Sequence, residues 1–254
     1  MIKFALSIAA SDPSGGAGVE ADLKVFSAHK VFGMSAITAI TVQGPEGVEK
    51  IIPTPINDFS RILEIIASQM PLDAVKIGAL ASAGHIRAVE NFLKRVRVPC
   101  VLDPVLKASK GSILLPKKDW PEIFSLFPFL DLLTPNLPEA EELLKIKIKN
   151  RADMVRGLEK FSEKGARAVL LKGGHLEGGP VDLLWRKGRV RAFPKQRLAG
   201  KFHGTGCALS SAIAAQLALG MDLEDAVAKS ERYVQKCLGS ALRIGKRKYL
   251  THLD

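Results

Sequence analysis

The chain has 254 residues, enough for one large α/β domain or two small ones. Hydrophobic residues at 47% and charged residues at 25% describe an ordinary globular protein with a sizeable core, which excludes disordered and fibrous classes. The net charge of +11 is spread along the sequence, aromatics make up 6%, and no nucleic-acid module signature occurs, so neither nucleic acid nor a membrane is an expected partner. Three cysteines (Cys100, Cys207, Cys237), odd in number and without metal spacing, point to a reducing compartment, and a cytoplasmic location is expected. No apolar run reaches the length of a membrane span.

In chain order, short apolar runs alternate with segments of helical spacing. Strands are predicted at Phe4–Ala10, Ser35–Val42, Ala74–Ile77, Pro99–Asp103, Leu130–Thr134 and Ala168–Leu171. Helices are predicted at Val19–His29, Asn57–Gln69, Gly84–Arg95, around Glu122–Leu126, and at Leu137–Leu144 and Ala152–Lys164. Val181–Trp185 and Arg189–Phe193 flank Lys187-Gly188 as a hairpin. Two helices close the chain, Cys207–Leu219, with Gly220 as its stop, and Leu223–Leu238. Continuous apolar strands alternating with helices imply an α/β fold, a mainly parallel sheet covered on both faces. No linker or repeat interrupts it, so one domain over residues 1–254 is expected. Ligands of such sheets bind beyond the carboxyl ends of the strands, where Gln43, Lys76, Asp103, Thr134 and Lys172 should converge.

The most informative stretch is His203-Gly204-Thr205-Gly206-Cys207, which leads into an Ala- and Leu-rich helix. Its glycines leave backbone N–H groups bare at the positive end of the helix dipole, an anion site suited to phosphate. Cys207 falls in the first turn, where that field is expected to lower the thiol pKa. Near the N-terminus, Ser11-Asp12-Pro13-Ser14-Gly15-Gly16-Ala17-Gly18 follows a strand and precedes a helix. Its fit to the dinucleotide pattern G-x-G-x-x-A fails on two counts: an insertion separates strand from glycines, and the next strand ends in Gln43 rather than a ribose-binding acid. A glycine loop that lets backbone approach a small ligand fits better. Asn136-Leu137-Pro138-Glu139 reads as a helix cap, and Glu139 also suits Mg²⁺ through water, with Asp103 as a second carboxylate. Lys172-Gly173-Gly174-His175 ends another strand and offers a point charge for phosphate. Neither a Walker A sequence nor a protein-kinase signature occurs.

Taken in order, SDPSGGAG, Ala21-Asp22-Leu23-Lys24, Ala36 through Gln43, Lys76-Ile77-Gly78, Leu102-Asp103-Pro104-Val105, Thr134 through Ala140, Lys172 through His175 and His203 through Cys207 resemble the hydroxymethylpyrimidine/phosphomethylpyrimidine kinases of thiamine biosynthesis. These belong to the ribokinase-like superfamily, and the resemblance spans nearly the whole chain. It implies a three-layer α-β-α fold, usually as a homodimer, with ATP and Mg²⁺ as cofactors and a small aminopyrimidine alcohol and its phosphate as substrates. By that resemblance Gln43 and Asp22 read the aminopyrimidine, and Ala17, Val105 and Ala79 line its pocket. Asp103 and Glu139 hold the metal, while Lys172, Gly173, Gly174 and His203 fall on the nucleotide side. Gly204, Thr205 and Gly206 form the anion hole, and Cys207 stands where sugar kinases of the superfamily carry an aspartate base. Three positions depart from the family pattern: Ala10 for Gly, Ala79 for Met, and Gly44-Pro45 for Asn-Thr. All lie on the substrate side, where shape changes shift specificity. Rival readings are a pyridoxal or pyridoxine kinase, whose ring also carries a hydroxymethyl group, and a pyrimidine-binding protein with little turnover. An NAD-dependent oxidoreductase lacks its ribose acid, and a Cys hydrolase would need a partner His and an acyl oxyanion site, whereas His203 lies on the other side of the glycine turn from Cys207.

Overall fold

The structure, a computed structural model, describes residues 1–108, 110–174, 179–196, 200 and 202–252. The elements run β1 (Lys3–Ser11), α1 (Gly18–Ala28), β2 (Val31–Gly44), β3 (Gly47–Pro53), α2 (Ile56–Gln69), β4 (Ala74–Ile77), α3 (Ala83–Leu93) and β5 (Cys100–Leu102). A 3-10 segment, Lys117–Phe129, leads to β6 (Leu132–Leu133), α4 (Leu137–Leu144), α5 (Arg151–Glu163), β7 (Ala168–Gly173), β8 (Val181–Arg186) and β9 (Arg189–Pro194). The last third holds β10 (Phe202–His203), α6 (Thr205–Ala218), α7 (Leu223–Gly239), β11 (Leu242–Ile244) and β12 (Arg247–Tyr249).

Among the described residues the main sheet has nine strands in the order β3-β2-β1-β4-β5-β6-β7-β8-β9. Its centre is parallel from β2 to β7, and antiparallel hairpins close both edges. Strand pleat sorts the side chains. Leu6, Ile8, Leu102, Val169 and Leu171 join one core with α2 to α5, while Ala5, Val101, Ala168 and Leu170 join another with α1, α6 and α7. The result is the three-layer α-β-α architecture. Chain reversals between parallel strands bring the carboxyl ends of β1, β2, β4, β5 and β7 to one edge, and the lead-in to α6 meets them there.

Two expectations needed correcting. The strand through Gln43 does not stop there: Gly44-Pro45-Glu46-Gly47 turns it into β3, with Gly44 opposite Gly47 and φ of +124° at Gly47. The segment around Glu122–Leu126 is a longer 3-10 run, because Pro121 and Pro128 inside it remove the donors an α-helix needs. β10, β12 and β11 form a small second sheet that no sequence pattern signals.

Candidate active site

Helix α6 starts from Gly204, whose φ of +79° puts it in the left-handed region. No side chain caps the helix, so its first N–H groups face whatever lies in front. A Cβ at Gly204 would fall 1.6 Å from the Gly16 carbonyl oxygen, so only glycine lets these two loops nest. At Gly206 a Cβ would stand 3.3 Å from both Asp103 Oδ2 and Lys172 Nζ. The acid and the base therefore sit directly before the helix start.

These groups line a cavity of about 440 Å³ at the carboxyl edge of the sheet. Gln43, Lys76, Asp103 and Lys172 converge on it as the strand ends predict. Thr134 does not; it is buried beneath, its hydroxyl donating to the Leu102 carbonyl. Ala17, Ala79, Val105, Glu139, His203, Gly204, Thr205, Gly206 and Cys207 also form the wall.

On one side, Lys172 Nζ donates to Asp103 Oδ1 at 2.8 Å. Burial opposes the Lys172 charge, but Asp103 and Glu139 outweigh it and hold the ammonium above the usual lysine range. Glu139 completes a capping box: its Oε2 accepts from the Asn136 N–H at 2.8 Å, and Asn136 Oδ1 accepts from the Glu139 N–H. Burial and the Asp103 charge push the Glu139 carboxyl up, against the pull of Lys172. Asp103 Oδ2 and Glu139 Oε1 take no part in these bonds. Two hard oxygen donors facing a phosphate-sized cavity fit Mg²⁺, which takes one or two carboxylates and fills its shell with phosphate oxygens and water.

On the other side, Lys76 Nζ pairs with Asp22 Oδ2 at 2.7 Å, both side chains fully buried. Asp22 also accepts from Ser7 (2.6 Å) and Ser211 (2.7 Å) and does not reach the cavity wall. Asp22 is therefore not placed to read a substrate; it anchors Lys76 and α6. Its helical phase explains this, since Val19, Asp22 and Phe26 share the buried face of α1.

Cys207 stands in the first turn of α6, as expected, but its thiol moves the other way. Burial, with the Asp22 and Asp103 charges, pushes it up to about 11 against the downward pull of Lys76 and of the Gly18 N–H. Desolvation and nearby carboxylates outweigh the helix field. Gly173 is required by packing rather than by a ligand, because a Cβ there would meet the Val181 carbonyl at 2.3 Å. Gly173 and Gly174 are not part of the cavity wall, and His175 lies outside the described residues. His203 turns Nε2 to Asp12 Oδ2 at 2.8 Å rather than leaving its ring free for a nucleotide. Asp12 is a site residue that the motifs do not single out. Its signal was Asp-Pro-Ser ahead of the glycines, a turn in which the Ser14 N–H donates to Asp12 Oδ1 at 2.9 Å.

The family model described as phosphomethylpyrimidine kinase matches residues 12–252, which takes in all of these groups but Ser7. The chain belongs to that family. It is a kinase by descent, and kinase relatives match it over most of their own lengths. A hydroxymethylpyrimidine/phosphomethylpyrimidine kinase of Rhizobium meliloti is 40% identical over 248 residues, covering 96% of this chain and 93% of that one. Its counterpart in Aquifex aeolicus is 36% identical, with 96% and 97% covered. Among solved structures, the Clostridium difficile phosphomethylpyrimidine kinase superposes with a TM-score of 0.84 at 39% identity, covering 94% of this chain and all of that one. The ADP complex of Bacillus subtilis pyridoxal kinase superposes with a TM-score of 0.91 at 28% identity, covering 99% and 98%.

Proposed function

We propose that this phosphomethylpyrimidine kinase family member transfers a phosphoryl group from ATP to 4-amino-5-hydroxymethyl-2-methylpyrimidine, then a second to the monophosphate, within thiamine biosynthesis. The observation that carries the reading is one cavity that joins Gln43, a hydrogen-bonding partner for an aminopyrimidine, to an uncapped helix start with Lys172 and two carboxylates before it. Fold similarity alone does not separate pyrimidine from pyridoxal kinases. Identity does favour the former, at 39–40% against 28%.

Phosphoryl transfer asks a protein for alignment and charge neutralisation more than for covalent chemistry. The first N–H groups of α6 receive the equatorial oxygens of the transferring group. Lys172 adds a fixed positive charge beside them. Asp103 and Glu139 would hold Mg²⁺, which when bound neutralises phosphate charge. Cys207 faces the acceptor hydroxyl as a neutral thiol, so it orients the nucleophile more than it deprotonates it. That suits a loose transition state, in which the hydroxyl proton leaves late. Ala10 and Ala79 sit in the wall around the pyrimidine side, where the family's Gly and Met would give a different contour.

A homodimer and a cytoplasmic location complete the proposal. Ile40, Val42 and Ile52 stand exposed on the β2–β3 ribbon, an apolar strip that a second copy would cover. The three free thiols suit a reducing compartment. No helix among the described residues is long and apolar enough to cross a membrane. The activity is tested by ADP release with hydroxymethylpyrimidine, its monophosphate and pyridoxine supplied separately, with and without Mg²⁺. Mg²⁺-dependent release with both pyrimidines is expected. Release with pyridoxine alone would move the specificity to the pyridoxal kinases.

A further inference from the structure

The acceptor and the phosphoryl group are handled by loops almost 190 residues apart in sequence, residues 12–18 and 203–207, and the two are fastened together at several points. Asp12 sits at the first. Its carboxylate accepts from the Ala17 N–H and the Ser14 N–H, both at 2.9 Å, and so fixes the shape of the glycine loop. The same carboxylate takes His203 Nε2 at 2.8 Å and a hydrogen bond from the Gln43 side chain. His203 is the last residue before the anion loop. Its Nδ1 is buried with no partner among the described residues, so Asp12 is the ring's polar anchor. Tyr249 packs edge-on against the ring at 5.3 Å, from a strand paired with β10. The Gly18 N–H reaches the Cys207 sulfur, and Gly204 nests on the Gly16 carbonyl.

We propose that Asp12 and His203 are positioning residues that clamp the acceptor loop to the anion loop, so that hydroxyl and phosphoryl group meet in one fixed geometry. The inference rests on the kinase reading above but assigns to these two residues a task no ligand contact requires. One carboxylate holds Gln43, which faces the pyrimidine, and His203, which sets the direction of Gly204–Gly206. Release of the clamp leaves each ligand a half-site that still binds, while the reacting atoms drift out of line. Misplacement of about an ångström costs on the order of 100-fold in rate.

The test is a double-mutant cycle of Asp12→Asn and His203→Ala, with His203→Gln as the conservative variant. Asn keeps an oxygen for the Ser14 N–H, and Gln keeps an N–H donor for Asp12. The readouts are kcat with hydroxymethylpyrimidine and the affinity of a non-hydrolysable ATP analogue. Each single loss is expected to lower kcat by roughly 10- to 100-fold with analogue affinity changed less than about threefold. The double variant should fall no lower than the worse single one, because one contact is lost only once. Recovery of most of kcat in His203→Gln is expected. Losses that multiply in the double variant, or analogue affinity that falls in step with kcat, would overturn the clamp. If His203→Ala does not fold, Asp12→Asn against His203→Gln decides alone: a low first and a near-native second support the clamp, and two equal losses contradict it. A wild-type protein that leaves hydroxymethylpyrimidine unphosphorylated overturns the function and the clamp together. Wild-type turnover with multiplying losses overturns the clamp only.

Discussion

Two lysine–aspartate pairs lie side by side behind and within the cavity, and they behave as opposites. Lys76–Asp22 is fully buried at 2.7 Å, and with two serines bonded as well neither carboxylate oxygen is left unbonded. Lys172–Asp103 is just as short at 2.8 Å, yet Lys172 is 14% exposed and Asp103 keeps Oδ2 for the space before α6. The first pair is a closed circuit that fixes β4, α1 and α6 around Cys207. The second is an open one, with a spare oxygen, a neighbouring carboxylate in Glu139 and a cavity in front. Distance alone does not separate framework from chemistry here; unspent hydrogen-bonding capacity does.

That contrast can be broken experimentally, beginning where the effect is greatest. Asp22→Asn leaves Lys76 buried without its counter-charge. A loss of about 3–5 kcal/mol in stability is expected in urea unfolding. A loss below about 1 kcal/mol would mean the closed pair is not framework. Lys172→Met should instead act on chemistry, lowering kcat/KM for ATP by roughly 10²- to 10³-fold. Turnover within a factor of about three of wild type would remove Lys172 from the phosphate side. Glu139→Gln keeps the cap on the Asn136 N–H while removing a charge, so the Mg²⁺ requirement should rise about tenfold. An unaltered Mg²⁺ titration leaves Glu139 as a cap only. The smallest effect is expected at Cys207. A thiol at about 11 gives roughly one thiolate in a thousand at pH 8, so iodoacetamide should label it slowly and faster only as pH climbs toward 11. Rapid labelling with a midpoint near pH 8 would restore an activated thiolate.

Much of this is legible in the sequence. Where an apolar run ended in a distinct stop, the boundaries followed: β4 at Ala74–Ile77 and α4 at Leu137–Leu144 lie where the pattern put them. The strand ends predicted the cavity, because parallel strands deliver their last polar residues to one edge. The misses have physical reasons. β3 is an edge strand with largely exposed side chains and no alternation to mark it. β11 and β12 are three residues each, and exposure leaves β11 without a buried face to pattern it. The thiol shift went the wrong way because a helix field is readable from sequence, whereas desolvation and the two carboxylates beside Cys207 come from strands and helices far apart in the chain. Asp22 was readable in principle: its spacing with Val19 and Phe26 already placed it on the buried face of α1. For Asp12 only the turn is readable; its link to Gln43 and His203 is not, since these partners meet only in three dimensions.

The central claim is that this cavity phosphorylates an aminopyrimidine alcohol twice. Mass spectrometry of products from ATP, Mg²⁺ and an equimolar mixture of hydroxymethylpyrimidine, its monophosphate and pyridoxine tests it most directly. The account predicts the pyrimidine diphosphate as the accumulating product, with Ala10, Ala79 and Gly44-Pro45 as tolerated substitutions. Pyridoxine phosphate alone, or no phosphorylated product, would contradict it.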